Sequence, residues 1–476
     1  MAKVIADLNW AILIGSKEEH EKLKEALTFK DPSAVYTKRY KRGVWDGSVR
    51  LCRETMYGVL FRSGLIKYVL KFFPDLEIEK KVKPLVQRVV SLPIELRDYQ
   101  KEAIEEVLKR RVGLVSVPTG GGKTFIGLGI ISRVEAKKYL YIVHRQELLL
   151  QVYHWLVECF GKEQVGRIGA GYCEDDKKII VGMVQSLVTK VGREDWKQFF
   201  NDIGVLIIDE AHHSVSSSYR ILIDSMDNLC LKVGLTGTPP SYDTLEGLKM
   251  LGVLGEVIYE VDINLLVQRG YVVGPRVVMY KGTWDVGLRK YWKAINWRQF
   301  GSERKFWNIV RDRGIVNNGV RNQLIANLVK GKTGVLVVVD MVEHGRQLQE
   351  LIGCPFVWAG VKNRFELFES FRKGNIPILI CSPVLEEGVD VHGIKTVVIA
   401  SGGKSKRKLL QRIGRGMRTM KGKIDVEVID FYDDEIPLLE RHSKKRLKVY
   451  EQMGFPVQIV NLDKVDSNSV NNTTGG

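Results

Sequence analysis

The 476-residue sequence lacks three features that would each define a class of protein. Its six cysteines are scattered with no C-x-x-C pair, which excludes a disulfide framework and a cysteine zinc motif, so we expect reduced thiols. No apolar run approaches the roughly 20 residues that span a bilayer. The first thirty residues carry acidic side chains such as Asp7 and Glu18 in place of a signal-peptide pattern. We therefore expect a soluble, cytoplasmic protein with no membrane partner.

The sequence has fewer acidic than basic residues. Asp and Glu total 56 against 73 Lys and Arg, which gives a formal net charge of +17 and a pI near 9.4. A soluble protein this basic attracts phosphate-bearing polymers, so the composition favours a nucleic-acid partner. The length allows about three domains, and the 45% hydrophobic content supports buried cores.

Short apolar runs alternate with helical patterns along most of the chain, which is typical of a parallel sheet covered by helices. The first series comprises VGLVSV (112–117), YLYIVH (139–144), KIIVGM (178–183), VLIIDE (205–210) and VGLTGT (233–238). The second series comprises VLVVVD (335–340), ILICS (378–382) and TVVIA (396–400). We predict an α/β protein with two tandem parallel-sheet domains, residues 91–265 and 266–455. A small α+β domain (1–90) precedes them, and a polar, disordered tail (456–476) follows.

Residues 117–124, VPTGGGKT, have the composition of a phosphate-binding loop placed between a strand and a helix. Glycines put no Cβ in the way of a phosphate, so successive backbone N–H groups can face it. The residues predicted to form this cradle are Thr119, Gly120, Gly121 and Gly122. Lys123 would reach the outer phosphates, and the Thr124 hydroxyl would bind Mg²⁺. Because Val117 stands where the plain pattern has glycine, a glycine-rich turn is the alternative for this stretch taken alone.

Two adjacent carboxylates, Asp209 and Glu210, follow the apolar run VLII. Open α/β sheets bind ligands outside the carboxyl ends of their strands. Asp209 could hold the water shell of Mg²⁺, and Glu210 could orient the water that attacks the γ-phosphate of ATP. Acidic residues at strand ends are also common caps. The functional interpretation of this pair therefore depends on the glycine-rich loop upstream. The two motifs together predict ATP hydrolysis with Mg²⁺.

The loop and DEAH (209–212) resemble the superfamily two helicases and translocases of the DEAH type. This resemblance implies two RecA-like domains with ATP between them. It also implies that Gln100, in LRDYQ, reads adenine and that LTGTP (235–239) couples the ATP state to strand binding. Segments VHRQELLLQ (143–151) and MVQSL (183–187) resemble those that touch the nucleic-acid backbone. The contacts implied there are His144, Arg145, Gln185 and Ser186.

The strongest match in the second domain is QRIGRGMR (411–418). Its arginines Arg412, Arg415 and Arg418 recur every three residues, so on a helix they would form one cationic edge suited to a polyphosphate. The resemblance implies that Arg415 and Arg418 act as arginine fingers inserted from the second domain. The alternative is an arginine-rich face that binds nucleic acid.

A second segment of this domain, SPVLEEGVDV (382–391), also resembles the family pattern. The resemblance implies that Ser382 contacts the nucleic-acid backbone, while Gly388 and Asp390 approach the nucleotide.

The stretch YTKRYKRGVWDGSVRLCR (36–53) combines six basic residues and one acid with aromatic side chains, a mixture suited to gripping a nucleic-acid backbone and stacking a base. The predicted contacts are Lys38, Arg39, Lys41, Arg42 and Trp45. With YGVLFRSGL (57–65), the stretch resembles the N-terminal domain of phage UvsW-type helicases, which remodel branched DNA. A solvated basic loop is the alternative.

This resemblance implies a monomeric ATP-dependent motor that remodels branched or forked DNA, in the host cytoplasm if the chain is viral. Three alternatives stay open: an RNA helicase or RNA-sensing ATPase of the same superfamily, the motor of a restriction system, and a non-catalytic nucleic-acid clamp. No nuclease constellation accompanies the motor motifs. An aromatic segment at 284–307 is interpreted as core, because aromatics at helical spacing usually pack inward.

Overall fold

A computed structural model describes residues 2–282, 302–382, 393–419 and 423–462. The chain divides into two compact units. Unit 1 comprises residues 1–117 and 122–261, and unit 2 comprises residues 118–121 and 262–476. Each unit is built around its own large sheet.

The N-terminal region of unit 1 has a small sheet, in which the described strands follow the order β5-β6-β2-β1-β7. The strands of this region are β1 Lys3–Ala6, β2 Trp10–Ile14, β3 Thr28–Lys30, β4 Ser48–Arg50, β5 Cys52–Thr55, β6 Gly58–Arg62 and β7 Glu77–Lys80. Its helices are α1 Lys17–Ala26, α2 Lys38–Lys41 and α3 Ile66–Val69. Strands β3 and β4 form a separate hairpin around the basic stretch. Alternate residues of β1, Val4 and Ala6, face the core, as expected of a half-buried strand.

The N-terminal region shares its core with the rest of unit 1. Leu248 and Leu251 belong to the same buried cluster as Val4, Leu13 and Phe61 of the small sheet. The two parts therefore count as one compact unit, although the small sheet is separate from the large one. The predicted boundary near residue 90 marks a change of sheet within a continuous hydrophobic core.

The large sheet of unit 1 has the described strand order β13-β12-β14-β11-β15-β16-β9-β17 and is parallel except at the β12–β13 edge. Its strands are β9 Val112–Ser116, β11 Lys138–Val143, β12 Val165–Gly169, β13 Tyr172–Cys173, β14 Ile179–Met183, β15 Ile203–Ile208, β16 Leu231–Thr236 and β17 Val257–Glu260, with β8 Val86–Gln87 and β10 Val134–Glu135 paired beside it. Its helices are α4 Asp98–Arg110, α5 Lys123–Arg133, α6 Gln146–Phe160, α7 Val184–Val188, α8 Glu194–Asp202, α9 Ser217–Asp224 and α10 Leu245–Leu254. The predicted parallel sheet is confirmed.

Unit 2 contains the second predicted parallel sheet, with the described order β20-β21-β19-β22-β23-β18-β24. Its strands are β18 Gly274–Lys281, β19 Val335–Val338, β20 Phe356–Val357, β21 Ile378–Cys381, β22 Thr396–Ile399, β23 Asp425–Tyr432 and β24 Val457–Asn461. Its helices are α11 Ile263–Gln268, α12 Glu303–Arg311, α13 Gly319–Val329, α14 Val342–Ile352, α15 Arg364–Arg372, α16 Lys406–Gly416 and α17 Pro437–Gln452.

Strand β24 corrects the predicted start of the tail. Residues 457–461 were placed in a disordered tail beginning at 456, yet they pair in parallel with β18 along the sheet edge. The segment VQIVN has the β-branched residues that favour a strand, and it pairs with the side of β18 that would otherwise present unpaired backbone groups. The folded part of unit 2 thus extends at least to Asn461. The polar residues 463–476 lie outside the described chain.

The aromatic segment is described only in part. Phe306 and Val310 of α12 are buried against Leu439 of α17, and the Trp307 ring lies 4.7 Å from that of His442. These residues belong to a packed core. Trp284, Trp292, Trp297 and Phe300 lie outside the described residues. Within the described part of the chain, no helix is both long and apolar enough to cross a bilayer.

Candidate functional site

The glycine-rich loop occupies the turn between β9 and α5, as the sequence predicts. Gly120 and Gly122 have φ values of 88° and 77°, in the left-handed region that side chains with a Cβ seldom adopt. Helix α5 begins directly after Gly122, so its N-terminal N–H groups and dipole lie next to the loop. Within the loop, the Gly121 N–H donates to the Pro118 carbonyl at 2.9 Å. The loop thus has the glycine-dependent backbone that the sequence predicts and lies at a helix N-terminus, and its role as a phosphate cradle stays a prediction.

Lys123 and Glu210 meet beside this loop. The Lys123 Nζ lies 3.7 Å from the Glu210 Oε1. Strand β9 brings the lysine and strand β15 brings the carboxylate to the same edge, since both strands are parallel to β16 between them. Glu210 has a φ of 46°, an unfavourable conformation for a residue with a Cβ. Such strain persists only where the surroundings fix it, and it concentrates at functional sites.

Asp209 is buried at the end of β15 and is held on both carboxylate oxygens. Its Oδ1 accepts from the Glu210 backbone N–H at 2.9 Å, and its Oδ2 accepts from the Tyr141 hydroxyl at 3.3 Å. Burial raises the pKa of the Asp209 carboxyl, and the negative charge of Glu210 adds to this effect, whereas Lys123 opposes it.

Tyr141 is a site residue that the sequence analysis missed. Its hydroxyl donates to Asp209, and the neighbouring Thr124 side chain lowers its pKa, so Tyr141 lies beside the two residues predicted to bind Mg²⁺. Burial raises the pKa of the tyrosine well above its ordinary value, so the hydroxyl stays protonated. The one signal in the sequence was a polar hydroxyl in the middle of an otherwise apolar run, YLYIV.

Gln100 links the start of α4 to the glycine loop. Its Oε1 accepts from the Arg97 backbone N–H at 2.9 Å, and its Nε2 donates to the Gly122 carbonyl at 3.3 Å. The side chain is buried, so Gln100 is not a surface residue. Its predicted role in reading adenine stays a prediction.

Three histidines form a row of rings between the DEAH motif and the end of β11. The ring centroids of His212 and His213 are 4.1 Å apart, and those of His213 and His144 are 4.3 Å apart. At one end of the row, the His212 Nδ1 lies 3.4 Å from the Glu210 Oε2. At the other end, the His144 carbonyl accepts from the Gln185 Nε2 at 3.1 Å. The sequence predicted the two ends of this row, but not His213 in its middle.

The other predicted contacts of unit 1 lie at the same edge of the sheet. Arg145 directly precedes α6, which follows β11, and Ser186 lies in α7, which follows β14. The LTGTP segment follows β16, where the Thr236 hydroxyl accepts from the Thr238 N–H at 3.2 Å. The carboxyl ends of neighbouring parallel strands thus gather the motifs along one edge, as the fold requires.

The arginines of unit 2 depart from the predicted arrangement. Helix α16 ends at Gly416, and Arg418 lies beyond it, where it forms an isolated antiparallel bridge with Val272. The helix cannot continue there because the Met417 carbonyl accepts from the Val273 N–H at 2.7 Å. Arg412 is held within unit 2 by Asp340, with an Nη2–Oδ1 distance of 2.5 Å. The prediction of one cationic helix edge containing all three arginines is therefore wrong.

The functional roles of Arg415 and Arg418 stay predictions. Ser382 is buried directly after β21, where its N–H donates to the Val357 carbonyl at 3.0 Å. The predicted nucleotide contacts Gly388 and Asp390 lie outside the described residues.

The basic stretch of the N-terminal region is presented to solvent. Lys38, Arg39, Lys41 and Arg42 are all exposed, on or next to the short helix α2. Trp45 is only partly available, because it is half-buried and its Nε1 donates to the Ser48 carbonyl at 2.7 Å.

Two protein families and several known helicases are similar to this chain. Residues 93–241 match the family described as "Type III restriction enzyme, res subunit", and residues 360–420 match "Helicase conserved C-terminal domain". "Putative helicase 22" of a Sulfolobus islandicus filamentous virus is 25% identical over 90% of this chain and 80% of its own length. "ATP-dependent DNA helicase uvsW" of Enterobacteria phage T4 is 24% identical over 93% of this chain and 96% of its own length.

Among solved structures, S. cerevisiae Dbp5 bound to RNA and ADP BeF3 has a TM-score of 0.53 at 16% identity. The match covers 78% of this chain and 91% of Dbp5, and at this identity it supports the fold alone. The two family matches and these relatives make the chain a relative of the superfamily two helicases, UvsW-type members among them, and an ATP-dependent enzyme of the helicase kind.

Proposed function

We propose that the chain is an ATP-driven DNA translocase that remodels branched DNA by branch migration, fork regression or strand annealing. The observation that carries this proposal is the position of Lys123 and Glu210, 3.7 Å apart, on the sheet edge that also holds His144 and Gln185. Residues suited to ATP and residues suited to a nucleic-acid backbone thus share one rigid edge.

The side chains at this edge fit ATP with Mg²⁺. Thr124 and Asp209 offer the oxygen ligands that Mg²⁺ prefers, and both side chains lie next to Tyr141. Bound Mg²⁺ would supply Lewis-acid stabilisation of the phosphate charge. In this proposal Lys123 would bind the outer phosphates, and Asp209 would help to hold the metal.

Glu210 is assigned the role of orienting and deprotonating the attacking water. Its strained backbone and its contact with His212 fix the direction of the carboxylate. Phosphoryl transfer depends mainly on such positioning and on charge neutralisation. Arg415 and Arg418 of unit 2 are assigned the neutralisation, as arginine fingers, and the closing and opening of the two units around ATP would drive stepping.

Branched DNA is proposed as the substrate because of the N-terminal region. This region exposes four basic side chains within residues 38–42, on and directly after α2, and the nearby Tyr36 is 80% exposed. The similarity to the phage DNA helicase extends over 93% of this chain, so it includes much of this region. A basic and aromatic surface next to a motor is suited to hold one DNA arm while the motor moves along another.

The deciding experiment compares ATP hydrolysis in the presence of single-stranded DNA, linear duplex DNA, a four-way junction and structured RNA. We expect the largest stimulation with the junction, together with ATP-dependent conversion of the junction into duplex products. Stimulation by RNA with none by DNA would replace this proposal with an RNA-dependent ATPase. If no nucleic acid stimulates ATP hydrolysis, the chain would be a non-catalytic nucleic-acid clamp.

A further inference from the structure

A second basic site lies in a cavity of unit 1 away from the glycine loop. The cavity has a volume of about 160 Å³ and is lined by the small N-terminal sheet and by helices α9 and α10. Its lining includes five cationic side chains and no carboxylate. These cations are Arg50, Arg53, Arg62, Arg220 and Lys249. We refer to these five residues as the arginine pocket.

Two of the five cations are held in place by a tryptophan. The guanidinium carbon of Arg62 lies 3.8 Å from the centre of a Trp10 ring, and that of Arg53 lies 5.2 Å from it. Arg62 is also bound by both carboxylate oxygens of Asp224, at 2.5 and 2.8 Å. Cation–π contact of this kind fixes guanidinium groups at low entropic cost. Trp10 and Asp224 therefore organise the floor of the pocket.

Three arginines of the pocket have no carboxylate partner among the described residues. Within the described residues, no carboxylate lies within ion-pair distance of Arg50, Arg53 or Arg220, and all three are exposed. Arg50 and Arg53 come from the N-terminal region, whereas Arg220 comes from α9. Like charges gathered in one cavity repel each other unless an anion binds among them. Guanidinium groups form bidentate hydrogen bonds with phosphate.

We propose that the arginine pocket binds the phosphodiester backbone of duplex DNA. This proposal rests on the DNA translocase function proposed above. A DNA backbone presents phosphates at regular spacing, so it can contact arginines of the N-terminal region and of α9 at the same time. The pocket would clamp a duplex arm at the seam between the small sheet and the motor, separately from the exposed residues of α2.

The test uses the full chain with Arg53→Gln and Arg220→Gln combined, and Lys109→Gln and Lys162→Gln combined as the control. Each pair of substitutions removes two positive charges, and both control lysines are exposed outside the pocket. The affinity for a labelled linear duplex is measured over a range of salt concentrations. The pocket variant should lose about 1.8 from the slope of log affinity against log salt, because each lost phosphate contact removes about 0.9. Between about 50 and 200 mM salt, the wild-type affinity should therefore fall about tenfold more than that of the pocket variant.

Arg53→Lys with Arg220→Lys should restore most of the slope, which a general loss of folding would not allow. Equal slopes and affinities for wild type and the pocket variant would overturn the proposal, as would an equal effect of the control pair. In either case, junction-stimulated ATP hydrolysis by the wild type would still support the proposed function. Thermal stabilisation by inorganic tripolyphosphate that is lost in the pocket variant, with DNA affinity unchanged, would assign the pocket to a free polyphosphate and overturn its assignment to DNA.

Discussion

The His213 ring lies 4.3 Å from the ring of His144, so the DEAH segment is in direct contact with the first predicted nucleic-acid segment. His213 also stacks on His212, which approaches Glu210. A shift of the backbone at His144 on DNA binding would therefore displace Glu210, the carboxylate proposed to orient water. Packed side chains transmit such shifts because they cannot deform continuously.

Replacement of His213 should uncouple DNA binding from hydrolysis. We expect His213→Leu to lower the stimulation of ATP hydrolysis by DNA about tenfold or more, a loss of about 1.4 kcal/mol of coupling. His213→Phe should retain most of the stimulation, since it keeps an aromatic ring in the row. His154→Leu is the matched control, because His154 is an exposed residue of α6 outside the row. Equal stimulation of His213→Leu and wild type would show that the row carries no coupling.

Lys123→Ala and Glu210→Gln should separate ATP binding from ATP hydrolysis. Loss of the lysine removes the charge predicted to bind the outer phosphates, so we expect weaker nucleotide binding and no measurable turnover. Glu210→Gln keeps the shape of the side chain but cannot accept a proton, so ATP binding should persist while hydrolysis falls by about 100-fold or more. Fluorescent nucleotide titration and phosphate release measure the two effects. Turnover near the wild-type rate in either variant would contradict the assigned roles.

Tyr141→Phe should weaken the response to Mg²⁺. The substitution removes the hydroxyl that donates to Asp209, and a group that supports metal ligands typically contributes 10- to 100-fold in metal affinity or activity. We expect a higher Mg²⁺ concentration for half-maximal hydrolysis with little change in folding. Tyr139→Phe is the control, because its hydroxyl donates to the Val134 carbonyl away from the carboxylates. An unchanged Mg²⁺ dependence would show that Tyr141 is only a packing residue.

Lys232 should make the stability of unit 1 depend on pH. Its buried Nζ donates to the Leu8 carbonyl at 2.7 Å and to the Asn9 Oδ1 at 2.9 Å, and burial lowers the pKa of Lys232 from 10.5 to about 7. Between these two pKa values the unfolded chain binds a proton that the folded chain does not. The free energy of unfolding should therefore rise with pH in this window and lose that gain as the pH falls towards 7.

Denaturant unfolding of wild type and Lys232→Met measures this effect. From pH 7 to about 9.5, the stability difference between the two proteins should grow by on the order of 3 kcal/mol in favour of the wild type. Lys197→Met on the surface of α8 should show no such trend. A difference that stays constant with pH would mean that Lys232 is charged in the folded state.

Neutralising the exposed cations of α2 should weaken junction binding. We expect replacement of Lys38, Arg39, Lys41 and Arg42 by Gln to lower the magnitude of the salt slope by up to about 3.6, with the melting temperature unchanged because these side chains are exposed. Such point variants are a sharper test than deleting residues 1–90. Deletion would expose Leu248 and Leu251 and would remove the acceptors of Lys232. An unchanged junction affinity would show that the basic stretch 36–53 is a solvated loop that does not bind DNA.

Local sequence was sufficient for the strands and for the glycine loop. Both depend on neighbours in the chain: apolar runs specify buried parallel strands, and glycines permit the positive φ at Gly120 and Gly122. The prediction from the arginine repeat was wrong because it, too, rested only on neighbouring residues in the chain. Spacing of three residues predicts one helix face only if the helix continues, and a hydrogen bond between Met417 and the distant Val273 ends it.

The sequence by itself therefore determined the two parallel sheets and the chemistry of the loop and carboxylates, because each of these features consists of residues that are neighbours in the chain. Only the tertiary structure decided that Tyr141 donates to Asp209, that His213 joins His144 to the DEAH motif, and that Arg53 and Arg220 share a cavity. The physical reason is that each of these contacts joins side chains far apart in the chain, and the order of the strands and the packing of helices on them fix which distant side chains meet.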